Sequence, residues 1–160
     1  VLWPSFVQNM RITCIDSYSC AHTTFYWPEI PGYGQLNCNK GDCRYSNFPV
    51  PNPDQILYIA CPDQLACKNS TIYCPENNNC QIICNGSHSC FTASIYCPIY
   101  GDCTVECLGY ESCLDTNIAC LVPDIHFWIP KMHFGYEKCS FGYPKCILAL
   151  GREFSNSGIL

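Results

Sequence analysis

Residues 61–83 read CPDQLACKNSTIYCPENNNCQII, and residues 84–106 read CNGSHSCFTASIYCPIYGDCTVE. The two stretches align without a gap, and four cysteine positions coincide: Cys61 with Cys84, Cys67 with Cys90, Cys74 with Cys97, and Cys80 with Cys103. A unit of 23 residues cannot bury a core of its own. Its recurrence therefore predicts an array in which neighbouring copies supply one another's interior. Working outward, the first column extends to Cys14, Cys38 and Cys107, the second to Cys20, Cys43 and Cys113, and the third to Cys120. Earlier copies lose the third and fourth columns. Trp27-Pro28 and Val50-Pro51 stand where Cys97-Pro98 stands, and Gly34 and Leu57 take the place of the fourth cysteine. About six turns result, counting partial ones.

Each turn carries two stretches of period two. Before the first cysteine column come MRITC, GQLNC, LYIAC, CQIIC and CTVEC, with Ile12, Leu36, Ile59, Ile82 and Val105 as one inward column. A second strand places Phe25, Phe48, Ile72, Ile95 and Ile118 inward, followed two residues later by Trp27, Val50, Cys74, Cys97 and Cys120. Alternation of this kind marks half-buried strands, and the Pro, Gly and Asn of the links mark turns. No stretch has helical period. The fold class expected is all-β: a disulfide-stapled parallel β-solenoid over residues 1–120, with an irregular, aromatic-rich C-terminal cap or contact segment over 121–160. His126 and Trp128 continue the inward spacing, so one further strand is expected before the register is lost. A knottin-like series of separate disulfide modules is the competing fold, but it leaves unexplained why the apolar columns persist through turns that lose cysteines.

The 17 cysteines in 160 residues also describe the chain's surroundings. So dense a set belongs to a disulfide scaffold in an oxidising compartment. The net charge of −5, from 8 basic and 13 acidic residues, gives no footprint for nucleic acid. No apolar run is long enough for a membrane span. The opening VLWPSFVQNM has neither the basic start nor the apolar stretch of a signal peptide, as expected of a mature or trimmed secreted chain.

Third- and fourth-column cysteines disappear together, which suggests bonding within a turn: Cys14–Cys20, Cys38–Cys43, Cys61–Cys67, Cys74–Cys80, Cys84–Cys90, Cys97–Cys103 and Cys107–Cys113. Pairing between turns is the alternative that sequence leaves open. Cys120, Cys139 and Cys146 remain. The position that should answer Cys120 holds His126, so one of these three is unpaired or bonded to another chain.

The stretches CPDQLACKNSTIYCP, CNGSHSCFTASIYCP and CLGYESCLDTNIAC resemble cysteine-rich repeat arrays of predicted secreted and surface proteins of algae, oomycetes and other protists. The resemblance spans about residues 1–120 and is specific in the middle three turns; the two earliest depart from it. It implies a β-solenoid on the cell surface and no catalytic residue.

Two sequons, Asn69-Ser70-Thr71 and Asn85-Gly86-Ser87, would be glycosylation acceptors in a secreted protein. Pro49, Pro51 and Pro53 read as an extended edge or turn, or as hydroxylation sites in an algal-type host. Tyr26, Tyr73 and Tyr96 share one outward column, a ladder that stabilises a sheet or meets a sugar. Thr24, Asn47, Thr71, Ser94 and Asn117 are too mixed for a regular ice-binding face. The outward columns hold no pair of acids for glycoside hydrolysis, the four histidines show no ligand or triad spacing, and the short C-x-x-C pairs of zinc sites are missing. No catalytic, metal or cofactor site is expected. The function expected is that of a structural protomer of an extracellular fibre, hair or coat, glycosylated and assembling head to tail with copies of itself. A carbohydrate-binding or adhesive surface module is the alternative.

Overall fold

The computed structural model describes residues 9–27, 29, 31–39, 43–49, 52–122, 125–129 and 146–150. It is an all-β parallel solenoid of about five turns, with no helix among the described residues. Sheet A contains β1 (Asn9–Cys14), β2 (Tyr33–Cys38), β4 (Ile56–Cys61), β6 (Cys80–Cys84), β8 (Cys103–Cys107) and β11 (Cys146–Leu150), in that spatial order and all parallel. Sheet B contains β3 (Asn47–Phe48), β5 (Thr71–Tyr73), β7 (Ser94–Tyr96), β9 (Asn117–Val122) and β10 (Ile125–Ile129), and a bridge from Thr24 to Asn47 adds one more residue pair.

The register reproduces the columns of the sequence. Ile12, Leu36, Ile59, Ile82 and Val105 succeed one another across sheet A, as do Phe48, Ile72, Ile95 and Ile118 across sheet B. All but Ile12, which is half-buried, are almost fully buried. Parallel strands stack at about 4.8 Å, so each side chain meets its own counterpart one turn away. Each such fully buried aliphatic side chain is worth roughly 1.5–3 kcal/mol of transfer free energy. Phe25 and Phe48 stack in the same way, with centroids 5.1 Å apart.

Between the sheets the chain turns a corner whose backbone alternates in hand. Leu65, Cys67 and Asn69 have φ of 60°, 56° and 54°, and one turn on His88, Cys90 and Thr92 have 52°, 43° and 55°. Left-handed residues other than glycine are costly, so they persist only where hydrogen bonds over-determine them. Here the N–H of Leu65 donates to Ser87 O at 3.0 Å, that of Asn69 to Phe91 O at 2.9 Å, and that of His88 to Tyr110 O at 2.8 Å. Each corner is thus laced to the next. The close stacking also explains Gly86: a Cβ there would lie 2.0 Å from the carbonyl oxygen of Asp63.

The C-terminal part departs from the expected continuation. Residues 125–129 do form a strand, but β10 runs antiparallel to β9 in sheet B, pairing Ile125 with Val122 and Ile129 with Ile118. The parallel register that would place His126 beside Cys103 in sheet A is not adopted. The reason is the length of the link. In the repeat, the six residues from Cys74 to Asn79 carry the chain from sheet B to sheet A. In the last turn β9 runs on to Val122, and two residues separate it from β10. So short a link closes an antiparallel hairpin but cannot cross between sheets. The place next to β8 is taken instead by β11, parallel and in register: Cys146 beside Cys103, Leu148 beside Val105 and Leu150 beside Cys107. Position 120, where the cysteine repeat ends, lies inside β9.

Candidate functional site

The cysteine staples lie at the bends between the sheets: one bend in every described turn, and both in the middle turns. The structure joins Cys14 to Cys20, Cys38 to Cys43, Cys61 to Cys67, Cys84 to Cys90 and Cys107 to Cys113 across the left-handed corner. It joins Cys74 to Cys80 and Cys97 to Cys103 across the opposite bend. Their Cα separations of 5.6–6.0 Å lie within the range a disulfide spans. Each connects residues five or six apart in sequence, so the bonds close small loops and none ties one turn to a distant one. Cys14, Cys20 and Cys43 bring their sulfurs within 4.8 Å of one another. All three already sit in two neighbouring disulfides, so no thiolate is available there for a metal.

A column of buried hydroxyls escaped the sequence reading. Ser46 Oγ donates to Cys20 O at 2.8 Å, Ser70 Oγ to Cys43 O at 2.5 Å, and Thr116 Oγ1 to Cys90 O at 2.6 Å. Each hydroxyl satisfies the carbonyl of a second-column cysteine one turn away. Ala93 occupies the same position in the turn between Ser70 and Thr116 and has no hydroxyl to offer Cys67 O.

The two sequons differ in setting. Asn85 is exposed just beyond β6, and its N–H donates to Cys61 O at 3.1 Å. Asn69 is half-buried at the corner with positive φ, and its Oδ1 accepts from Thr92 Oγ1. Of the two, Asn85 offers the more accessible amide.

Two aromatic rows mark the surface. The expected tyrosine ladder is partly continuous: Tyr73 and Tyr96 stack at 4.5 Å with rings 7° from parallel, while Tyr26 is exposed and separated from them by the Pro49 position. The second row runs along the left-handed corner. His22 stacks on Tyr45 at 4.9 Å, Arg44 lies over the Tyr18 ring at 4.1 Å, Lys68 lies over Phe91 at 5.1 Å, and His88 meets Phe91 and Tyr110 edge-on. Nothing in the sequence signalled this row, because the corner positions change identity from turn to turn and only the stacking unites them.

Within that row Ser87, His88 and Glu111 form a hydroxyl–imidazole–carboxylate chain. Ser87 Oγ lies 2.8 Å from His88 Nδ1, and His88 Nε2 lies 2.7 Å from Glu111 Oε2. Such a chain serves nucleophilic catalysis when backbone donors face the developing oxyanion. The N–H groups of His88, Ser89 and Cys90 instead donate to Tyr110 O, Gly86 O and Ala66 O. The His88–Glu111 contact joins one corner to the next. On sheet A, Glu106 Oε1 accepts from Gln81 Nε2 at 3.1 Å.

No family model, curated protein or solved structure matches this chain.

Proposed function

We propose that the chain is a structural protomer of an extracellular fibre, hair or surface coat, built by head-to-tail stacking of copies. The direction of sheet A carries this reading. Its six strands from β1 to β11 all run parallel. Among the described residues, then, the outer edge of β11 offers the row of donors and acceptors that the outer edge of β1 takes from a copy displaced along the axis. A contact between unlike surfaces repeats into an open filament or a ring rather than closing as a dimer. Long parallel edges are normally covered in natural proteins, and a second copy covers both at once. Sheet B contributes less to such a joint, because its order ends in the antiparallel β10.

The other supports are chemical. Seven disulfides suit an oxidising compartment. Among the described residues no helix is long and apolar enough to cross a membrane. The resemblance of the middle turns to cysteine-rich arrays of protist surface proteins points the same way. Glycan on Asn85 would supply the solubility that 13% charged residues supply poorly. The deciding experiment is sedimentation and electron microscopy of the native, untruncated protein. Filaments or rings are expected; a stable monomer at high concentration ends the proposal.

The stacked Tyr73–Tyr96 pair and the aromatic corner favour a second reading, a carbohydrate-binding or adhesive module. Aromatic faces are a common platform for sugar rings. Selective binding on a glycan array, abolished by Tyr73→Ala and shown by monomeric protein, would put this reading first.

A further inference from the structure

In the middle turns a third-column cysteine at the end of a sheet B strand bonds a fourth-column cysteine that opens the next sheet A strand: Cys74 to Cys80 and Cys97 to Cys103. The last turn contains both halves of that arrangement, separated by an insertion. On sheet B, Tyr96 pairs with Ala119 and the N–H of Cys97 donates to Ala119 O at 2.8 Å, which places Cys120 in register beside Cys97. On sheet A, Cys146 pairs with Cys103. Moving the Cys97–Cys103 pair, whose Cα atoms are 5.6 Å apart, by one strand spacing along both sheets brings it onto positions 120 and 146.

We infer that Cys120 and Cys146 are joined by an eighth disulfide that closes the final turn. Residues 121–145, including β10, are then an insertion within a turn whose staple the repeat already dictates. The repeat's own spacing pointed to position 126 for the partner; the sheet register points to 146. The bond forms as the others do. Each thiol gives up a proton and an electron, and the electron pair reduces the disulfide of a thiol–disulfide oxidase through a mixed disulfide, releasing that oxidase as a dithiol. Seven bonds take 14 of the 17 cysteines, the eighth takes two more, and Cys139 is left over.

The sequence makes the test direct. Trypsin cleaves after Lys68, Lys131, Lys138, Lys145 and Arg152, which separates the three cysteines. The full chain is alkylated under denaturing, non-reducing conditions, digested and mapped. The peptide of residues 146–152 should be attached to that of residues 69–131, with the peptide of residues 139–145 carrying the alkyl group or linked to another chain. Alkylated Cys146, or a bond from Cys139 to either of the others, overturns the inference. Cys139→Ser should leave the map otherwise unchanged, and this variant decides the question even if the others fail to fold. Cys120→Ser, Cys146→Ser and the double variant should melt together, lower by on the order of 5–10 °C; unequal losses would also count against the bond.

Discussion

Around Trp27 the solenoid interior is filled by aromatic and aliphatic side chains, with one disulfide per turn at the corner. Around Cys97 it is filled by isoleucines and two disulfides per turn. Trp27 stands where Cys97 stands, and Gly34 stands where Cys80 and Cys103 stand. A Cβ on Gly34 would come within 3.0 Å of Trp27 Cζ3 and 3.2 Å of Gln55 Nε2, so the missing side chain makes room for the indole. Two positions that carry a covalent pair in one turn carry a large–small pair in another, and the loss of both cysteines together is a single change of packing. The exchange is not free of cost. Trp27 Nε1 and both amide atoms of the buried Gln55 have no hydrogen-bond partner among the described residues, whereas a disulfide has no polar group to satisfy.

The largest effect expected at either end is that of Trp27→Ala. It opens a cavity opposite a glycine and should cost about 3–5 kcal/mol in denaturant unfolding. The loss should be the same with and without reductant at a dose that spares the remaining bonds; a loss under 1 kcal/mol would mean that the indole does not hold these turns. Replacing Cys97 and Cys103 together by alanine should cost about 2–3 kcal/mol. It should also leave the other six described pairs intact in a non-reducing peptide map, and reshuffled pairs would show that neighbouring staples are not independent.

A finer contrast lies on the outer face. Tyr73→Ala removes a stacked ring and should cost about 0.5–1.5 kcal/mol, while Tyr26→Ala should stay within about 0.5 kcal/mol. Equal effects would show that the ladder is continuous after all. The smallest effect is a gain. Ala93→Ser supplies the hydroxyl that Ser46, Ser70 and Thr116 provide in other turns, and should stabilise by about 0.5–1 kcal/mol through a bond to Cys67 O. A loss would mean that the middle turns are packed too closely for one more oxygen.

The inward columns were legible in the sequence because stacked parallel strands put like residues in contact, so geometry is written directly as a 23-residue period. The within-turn staples were legible as a pattern of joint loss. The corner was not. Leu65, His88 and Glu111 all take positive φ, and no glycine or asparagine at those positions announces it. For Leu65 and His88 the hydrogen bonds that enforce it come from the next turn, beyond the reach of local propensity. The final turn failed for a different reason. Two residues between Val122 and Ile125 redirect the chain into a hairpin, and the return to sheet A at Cys146 follows a gap that no fixed period can span.

The within-turn placement of the staples also sets how the molecule bears tension. Pulled along its axis, neighbouring turns part at hydrogen bonds and stacked side chains, since each described disulfide bridges five or six residues of the same local stretch. The bonds therefore limit how far a parted turn can lengthen rather than whether it parts. A free 23-residue turn would draw out to roughly 80 Å, and each staple withholds on the order of 15 Å of that reach. The doubly stapled middle turns would release roughly 50 Å and the turn around Trp27 roughly 65 Å. Under load the array would yield in graded steps, with its longest extensions nearest β1.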